Sequence, residues 1–459
     1  MKSRIERDSM GDVAVPAQAL YGAQTQRAVD NFTISQRPMP AGFLRSLAQL
    51  KGAAAHANRE CGALDPEIAN ALEEAAAAVA EGTYSDQFPV PVFQTGSGTS
   101  SNMNMNEVLA RLATTSSGRP VHPNDHANCS QSSNDVIPST IQVTAAVELQ
   151  ERVRPALRTL AEAIRLRAGE LEGVVKTGRT HLMDAMPLTL GQELGAWAVQ
   201  LEECDARFGD LLPRLCELPI GGSAVGTGVN VPPGFAQALV RQLQAMLSLD
   251  FTASDNPFSR MAGQDVTLEC SACLRSLAVV LAKINNDLRW MSSGPLAGLA
   301  EIELAPLQPG SSIMPGKVNP VLPEAVLMAA AQVVGNDSAI TLAGCSGNFQ
   351  LNVMLPLIAD RLADSSALLV GACDATARTV AGFSVNHAQL QRSLASNPIL
   401  VTALNATIGY EAAAAIAKRS YAEGRPVLEV AAEETDLSRE ELEQLLDPIR
   451  LTRGPVSDR

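Results

Sequence analysis

The chain has 459 residues and a mass of 48.2 kDa, enough for about three domains of ~150 residues each, with 46% hydrophobic and 18% charged residues. Thirty-five basic against 49 acidic side chains leave a net charge of −14, which opposes phosphate backbones and anionic lipid and so disfavours nucleic-acid and membrane-surface roles. Eight cysteines lie scattered without a disulfide framework, and the N-terminus lacks an apolar signal segment, so a cytoplasmic protein is expected.

Aromatics make up only 3%, and Ala-rich runs at 75–78 and 412–415 favour helix. Residues 1–135 read as an N-terminal domain of short helical stretches between Pro-, Gly- and Asn-rich segments. A long helix is then expected within roughly 139–177, with Val153, Leu157, Leu160, Ile164 and Leu171 on one face. A second carries Leu190, Leu194, Trp197, Leu201, Cys204, Phe208, Leu211 and Leu215. A third repeats the pattern with Val266, Cys270, Cys273, Leu277, Val280, Ile284, Leu288 and Met291. Recurrence at alternating steps of four and three marks helices packed along their length. Pro155 and Pro213 predict a kink or early end in the first two.

The charge-free run 218–240 contains five Gly and three Pro, which reads as loop rather than membrane helix. Further helices are expected near 321–342 and 351–380, and a capping box at Ser438 and Glu441 opens one in the tail. The fold class is mainly α: a central long-helix bundle over 136–360, preceded by the 1–135 domain and followed by a small helical domain over 361–459.

Four polar, Gly-containing segments fall at the ends of these helices: GSGTSSN (96–102), HPNDH (122–126) with SSND (132–135), GRTH (178–181) and GSSIMPGKVNP (310–320). Their hydroxyls, amides and backbone N–H groups suit a small anion, and the same residue types also make ordinary caps and turns. Segments 132–134 and 180–181 flank the first long helix. Roughly 30–38 helical residues at ~1.5 Å rise hold them ~45–57 Å apart. One small ligand cannot touch both in a single chain, so a shared site demands an oligomer.

Other constellations read as structure. Cys270 and Cys273 lie on an apolar helix face without a partner pair. His122 and His126 flank a turn, and no HExxH glutamate accompanies them. The GGSAVGT run from Gly221 lacks the lysine of a phosphate loop, and no dinucleotide fingerprint follows a strand. His56 and His387 have no motif around them.

Taken together, these segments resemble the fumarase/aspartase superfamily, and most closely its class II fumarate hydratases. The likeness begins at YGAQTQR (21–27) and runs through GSGTSSNMN (96–104), HPNDHAN (122–128), SQSSND (130–135), GRTHLMDAMPLTLGQE (178–193), GSSIMPGKVNP (310–320) and VTALNATIGYEAAA (401–414). Ser133, His181 and Gly316 stand where aspartases carry Thr, Gln and Ala, which separates the chain from aspartate ammonia-lyase, the nearest alternative.

The resemblance implies reversible anti addition of water to fumarate to give L-malate, a tricarboxylic acid cycle step, with no metal or redox cofactor. By the same resemblance Ser311 is the catalytic base, His181 serves the hydroxyl side, and Glu324 orients its ring. Lys317 and Asn319 hold a substrate carboxylate with Ser97, Thr99, Ser132, Ser133, Asn134, Thr180 and Ser312. His122, Asn124 and Asp125 match a second dicarboxylate site. A homotetramer with a twenty-helix core and sites shared between chains is implied. Gln350, Arg111 and Ser259 depart from the family pattern.

Overall fold

The computed structural model describes residues 2–310 and 312–453. The chain divides into two compact units, each gathered from three stretches: Met1–Pro155, Cys204–Ala278 and Ala329–Val370 in the first, and Ala156–Glu203, Val279–Met328 and Gly371–Arg459 in the second.

The first unit opens with an antiparallel hairpin, Ser3–Asp8 against Gly11–Pro16, which the reading of 1–135 as helices and loops missed. Exposure alternates along Ser3–Asp8, but the less exposed positions are Arg4, Glu6 and Asp8, so no apolar alternation marks the strand. The Arg4 guanidinium ties the hairpin down by donating to the carbonyls of Pro16 (2.9 Å), Ala19 (2.7 Å) and Tyr21 (2.7 Å). The helices here are also longer than expected. Ala41–Glu60 has 20 residues and Thr99–Ser117 has 19. In the former, Phe43, Leu47, Leu50, Ala54 and Ala57 are buried at helical spacing. Small residues dilute that stripe in the sequence. They also let the helix Pro66–Ala80 pack closely: a side chain at Gly52 would meet the Ala76 Cβ at 3.2 Å. Asp65 caps Pro66–Ala80, accepting from Glu67 N at 2.9 Å.

The first long helix starts earlier and ends sooner than the apolar pattern suggested. It runs as Ser133–Glu148, a widened turn Leu149–Val153, and Arg154–Glu170. Arg154 N bonds back to Leu149 O. That π-type turn sits just before Pro155, which has no N–H to donate, and so absorbs the proline without a break. Residues beyond Glu170 turn into the strand Val175–Thr180, where β-branched residues outnumber helix formers.

The stripe of Leu190–Leu215 is buried at every expected position, and Pro213 falls in its last turn. In Asp265–Met291 the buried line passes through Leu274 and Leu281 rather than Cys273 and Val280. Steps of four, rather than strict alternation, keep its first half facing inward. Each buried Leu or Phe contributes ~1.5–3 kcal/mol relative to exposure.

Within the second unit, the strand Val175–Thr180 pairs with Met183–Thr189, and the tail forms its own apolar cluster around Leu404, Ile416, Val430 and Leu442. The expected capping box opens Arg439–Leu445: Ser438 N donates to Glu441 Oε2 at 2.8 Å and Glu441 N to Ser438 Oγ at 3.2 Å. Among the described residues one helix, Val321–Gly344, is long and apolar enough by length and composition to cross a membrane. None of the eight cysteines is in a disulfide.

Candidate active site

In the first unit two helix N-termini converge. Gly98, in the left-handed region at φ 74°, precedes Thr99, the first residue of Thr99–Ser117. Any side chain at Gly98 would strike Ile137 at 2.9 Å, so only glycine permits this approach. Ser133 is likewise the first residue of its helix. The Thr99 and Ser133 hydroxyls lie 2.7 Å apart, and Ser97 Oγ lies 2.7 Å from Thr99 Oγ1. Ser132 caps the second helix, accepting from Asn134 N at 3.2 Å, while Asn134 Nδ2 donates to Ala224 O at 2.8 Å. These hydroxyls and an amide gather at the positive ends of two helices, a cradle of donors whose chemistry suits a small anion.

Asp135 completes this arrangement and was not singled out from the sequence, although its spacing from Ser132 is that of a capping box. It is fully buried. Its carboxylate accepts from Ser132 N (2.9 Å), Gly221 N (3.0 Å) and Ser223 N (2.9 Å). The loop that mimics a phosphate-binding run is therefore wrapped around an aspartate. Burial pushes the Asp135 carboxyl up to about 6, against the pull of those N–H groups and of Lys51.

His122, Asn124 and Asp125 lie exposed on the turn Pro123–Ala127. The His122 ring nitrogen Nδ1 accepts from Asn124 N at 3.3 Å and Asp125 N at 3.1 Å. His122 thus caps its own turn. Among the described residues no cluster of three or more His, Cys, Asp or Glu is arranged to hold a metal ion.

In the second unit Thr180 and His181 sit at the tip of a β-hairpin, not at a helix end as the apolar pattern suggested. Thr180 pairs with Met183 across a two-residue turn in which His181 (φ 56°) and Leu182 (φ 61°) are both left-handed. That turn exposes the imidazole. A buried ion cluster braces the strand: Lys176, 1% exposed, donates to Glu193 Oε2 at 2.7 Å and lies 2.8 Å from Glu301 Oε2, while Arg179 donates to Glu301 Oε1 at 2.6 Å. Sequence reasoning missed Lys176 and Glu301, which stand 125 positions apart and carry no local motif.

In this unit residues 304–310 and 312–320 approach one another. Asn319 Nδ2 donates to Gly310 O at 2.7 Å, and a side chain at Gly310 would strike Lys317 O at 1.8 Å. An open cleft of about 440 Å3 is lined by Pro306, Gly310, Gly316 and Lys317. Ser312 and Lys317 are exposed, as is Glu324 in the first turn of Val321–Gly344. Ser311 lies outside the described residues. His181 and Glu324 make no hydrogen bond to each other within the single chain.

Arg111, one of the departures, pairs with Glu6 of the N-terminal hairpin at 2.6 Å, and Gln350 sits in an exposed turn. Neither touches the clusters above.

A family model described as lyase matches residues 11–335, and one described as the fumarase C C-terminus matches 400–453. The chain is 56% identical to the class II fumarate hydratase of Xylella fastidiosa, over 99% of this chain and 96% of that one. It is also 56% identical to class II fumarate hydratase 2 of Pseudomonas aeruginosa, over 98% and 99%. The crystal structure of class II fumarase from Schistosoma mansoni superposes with a TM-score of 0.96 at 35% identity, covering 99% of this chain and 100% of that one. The chain belongs to the class II fumarate hydratase family.

Proposed function

We propose that this chain is a hydro-lyase that adds water reversibly to fumarate, giving L-malate. The observation that carries the reading is the meeting of Thr99 and Ser133 at 2.7 Å, two hydroxyls at two helix N-termini, in a chain 56% identical to a class II fumarate hydratase. Removing a proton next to a carboxylate drives charge onto that carboxylate. Fixed donors aimed at the resulting dianion lower the barrier. Ser97, Thr99, Ser132, Ser133, Asn134 and Thr180 supply neutral donors, and Lys317, Asn319 and Ser312 supply the rest from the 310–320 loop.

Ser311 takes the carbon-bound proton in the malate-to-fumarate direction and returns it in the other. A free serine hydroxyl is far too weak an acid for this, so its alkoxide must be held by the Lys317 charge and loop N–H groups. His181 exchanges a proton with the departing or arriving hydroxyl through water, and Glu324 holds its ring. His122, Asn124 and Asp125 form a second dicarboxylate position.

The active species is a homotetramer in which the site residues come from different chains, their long helices meeting in a twenty-helix core. Exposed apolar side chains support this: Met328 and Leu342 on Val321–Gly344, with Val279 and Trp290 on Asp265–Met291, need a partner to leave water. The three sequence domains, 1–135, 136–360 and 361–459, are retained as functional segments. A cytoplasmic location fits eight cysteines that form no disulfide.

Ultraviolet absorbance in chelator-treated buffer tests the reaction, because fumarate's conjugated double bond absorbs and malate does not. The expected result is a gain in absorbance with L-malate, a loss with fumarate, and no change with aspartate. A gain with aspartate alone would make the chain an ammonia-lyase.

A further inference from the structure

Lys51 lies in the helix Ala41–Glu60, within the largely apolar run LAQLKGAAAHAN, and is only 2% exposed. Its ammonium donates to Asn128 Oδ1 at 3.0 Å. The same oxygen accepts from Asn102 Nδ2 and Asn106 Nδ2, each at 3.1 Å. Asn128 then donates through Nδ2 to Gln131 O at 3.2 Å. Two helical turns along, Asn58 donates to Cys129 O at 2.9 Å and accepts from Ser130 Oγ at 2.6 Å. Residues 128–131, which lead directly into Ser132, are therefore held by two side chains on one helix face. Ser130 keeps a left-handed φ of 60°, a conformation that persists where surroundings over-determine it.

This frame is costly. A buried ammonium loses its hydration, and an apolar side chain of equal volume would pack there at less cost. Among the described residues Asn128 is the one hydrogen-bond acceptor of Lys51, and Asn102 Oδ1, Asn106 Oδ1 and Gln131 Oε1 make no hydrogen bond. A polar network left partly unsatisfied does not optimise stability. Its geometry has a different outlet: Asn102 sits in the first turn of the helix that Thr99 opens, and Gln131 adjoins Ser132.

We propose that Lys51 is a positioning residue for the carboxylate cradle: acting through Asn128, it sets the 128–131 turn and with it the aim of Ser132, Ser133 and Asn134. This rests on the hydratase reading and deepens it. Lys51 touches no reacting atom and works at a distance, on the segment that does.

The test compares the unaltered full-length protein with Lys51→Met, Asn128→Ala and the double variant, each first checked for unchanged elution volume. A cradle contact that strengthens as charge develops on the substrate carboxylate lowers kcat rather than raising KM when it is lost. The kcat for fumarate hydration should therefore fall ~10-fold in each single variant with KM within about threefold. The double variant should be no worse than either single one, because both act through one link. Peptide hydrogen exchange over 128–134 should quicken by ~10-fold while Leu190–Leu215 stays as it was. If Lys51→Met fails to fold, Asn128→Ala carries the same expectations. A folded variant with unchanged kcat and unchanged exchange, or additive effects in the double variant, overturns the proposal. Absence of fumarate hydration by the unaltered protein would sink the hydratase reading alone, since exchange over 128–134 still decides whether Lys51 sets the turn.

Discussion

Asp135 carries three backbone N–H groups on one buried carboxylate, joining the Ser132 turn to the 221–223 loop. Its carboxyl rises from 3.8 to about 6 on folding. A raised folded value means that the native state binds more protons than the unfolded chain between those two pH values. The stabilising share of this group is therefore full below pH 4 and lost as pH rises through 6. Asp135→Asn removes that dependence. The stability of the unaltered protein minus that of the variant should grow by ~2 kcal/mol from pH 7 to pH 4, read from urea unfolding at matched protein concentration. A pH-independent difference would contradict the role of burial here. Ser132, Ser133 and Asn134 were legible in the sequence because they sit side by side in one motif. Asp135 was legible in principle by its capping spacing. Lys51 was not, because an isolated lysine in a helix acquires meaning only when Asn128, 77 positions away, comes to lie 3.0 Å from it.

At the scale of elements, apolar periodicity located the long helices well and their ends poorly. The Leu190–Leu215 stripe was read correctly position by position, since nothing in it competes with burial. In Asp265–Met291 the choice between Cys273 and Leu274 depends on neighbours the sequence does not display. The hairpin carrying Thr180 and His181 was hidden for another reason: a short two-stranded ribbon offers too few residues for alternation to stand out from helical spacing. Its turn holds Leu182 at φ 61° with two-thirds of its surface exposed. A left-handed leucine costs ~1–2 kcal/mol, and glycine gives back ~0.5–1 kcal/mol of that as unfolded-chain entropy. Leu182→Gly should therefore raise thermal stability by ~0.5–1 kcal/mol, since no packing is lost. A lower melting temperature at equal concentration would show that the leucine is held by contacts beyond the single chain.

For the molecule as a whole, the predominance of long helices was legible from composition and periodicity. The division into two compact units was not, because each is gathered from three separated stretches of chain. The residues proposed for the site fall in both: the cradle around Thr99 and Ser133 in one, and the His181 tip and Lys317 loop in the other. The helical length between 132–134 and 180–181, together with the exposed apolar residues of Val321–Gly344, supports a site completed by other copies of the chain. Subunit mixing tests this most directly. Ser132→Ala and His181→Ala proteins, each nearly inactive alone, are dissociated together, reassembled and assayed for fumarate hydration. If the two residues of a working site come from different chains, a random equal mixture leaves roughly a quarter of sites with both intact, and activity returns to that level. No recovery, with subunit exchange verified by mass, would mean that each chain builds its site alone.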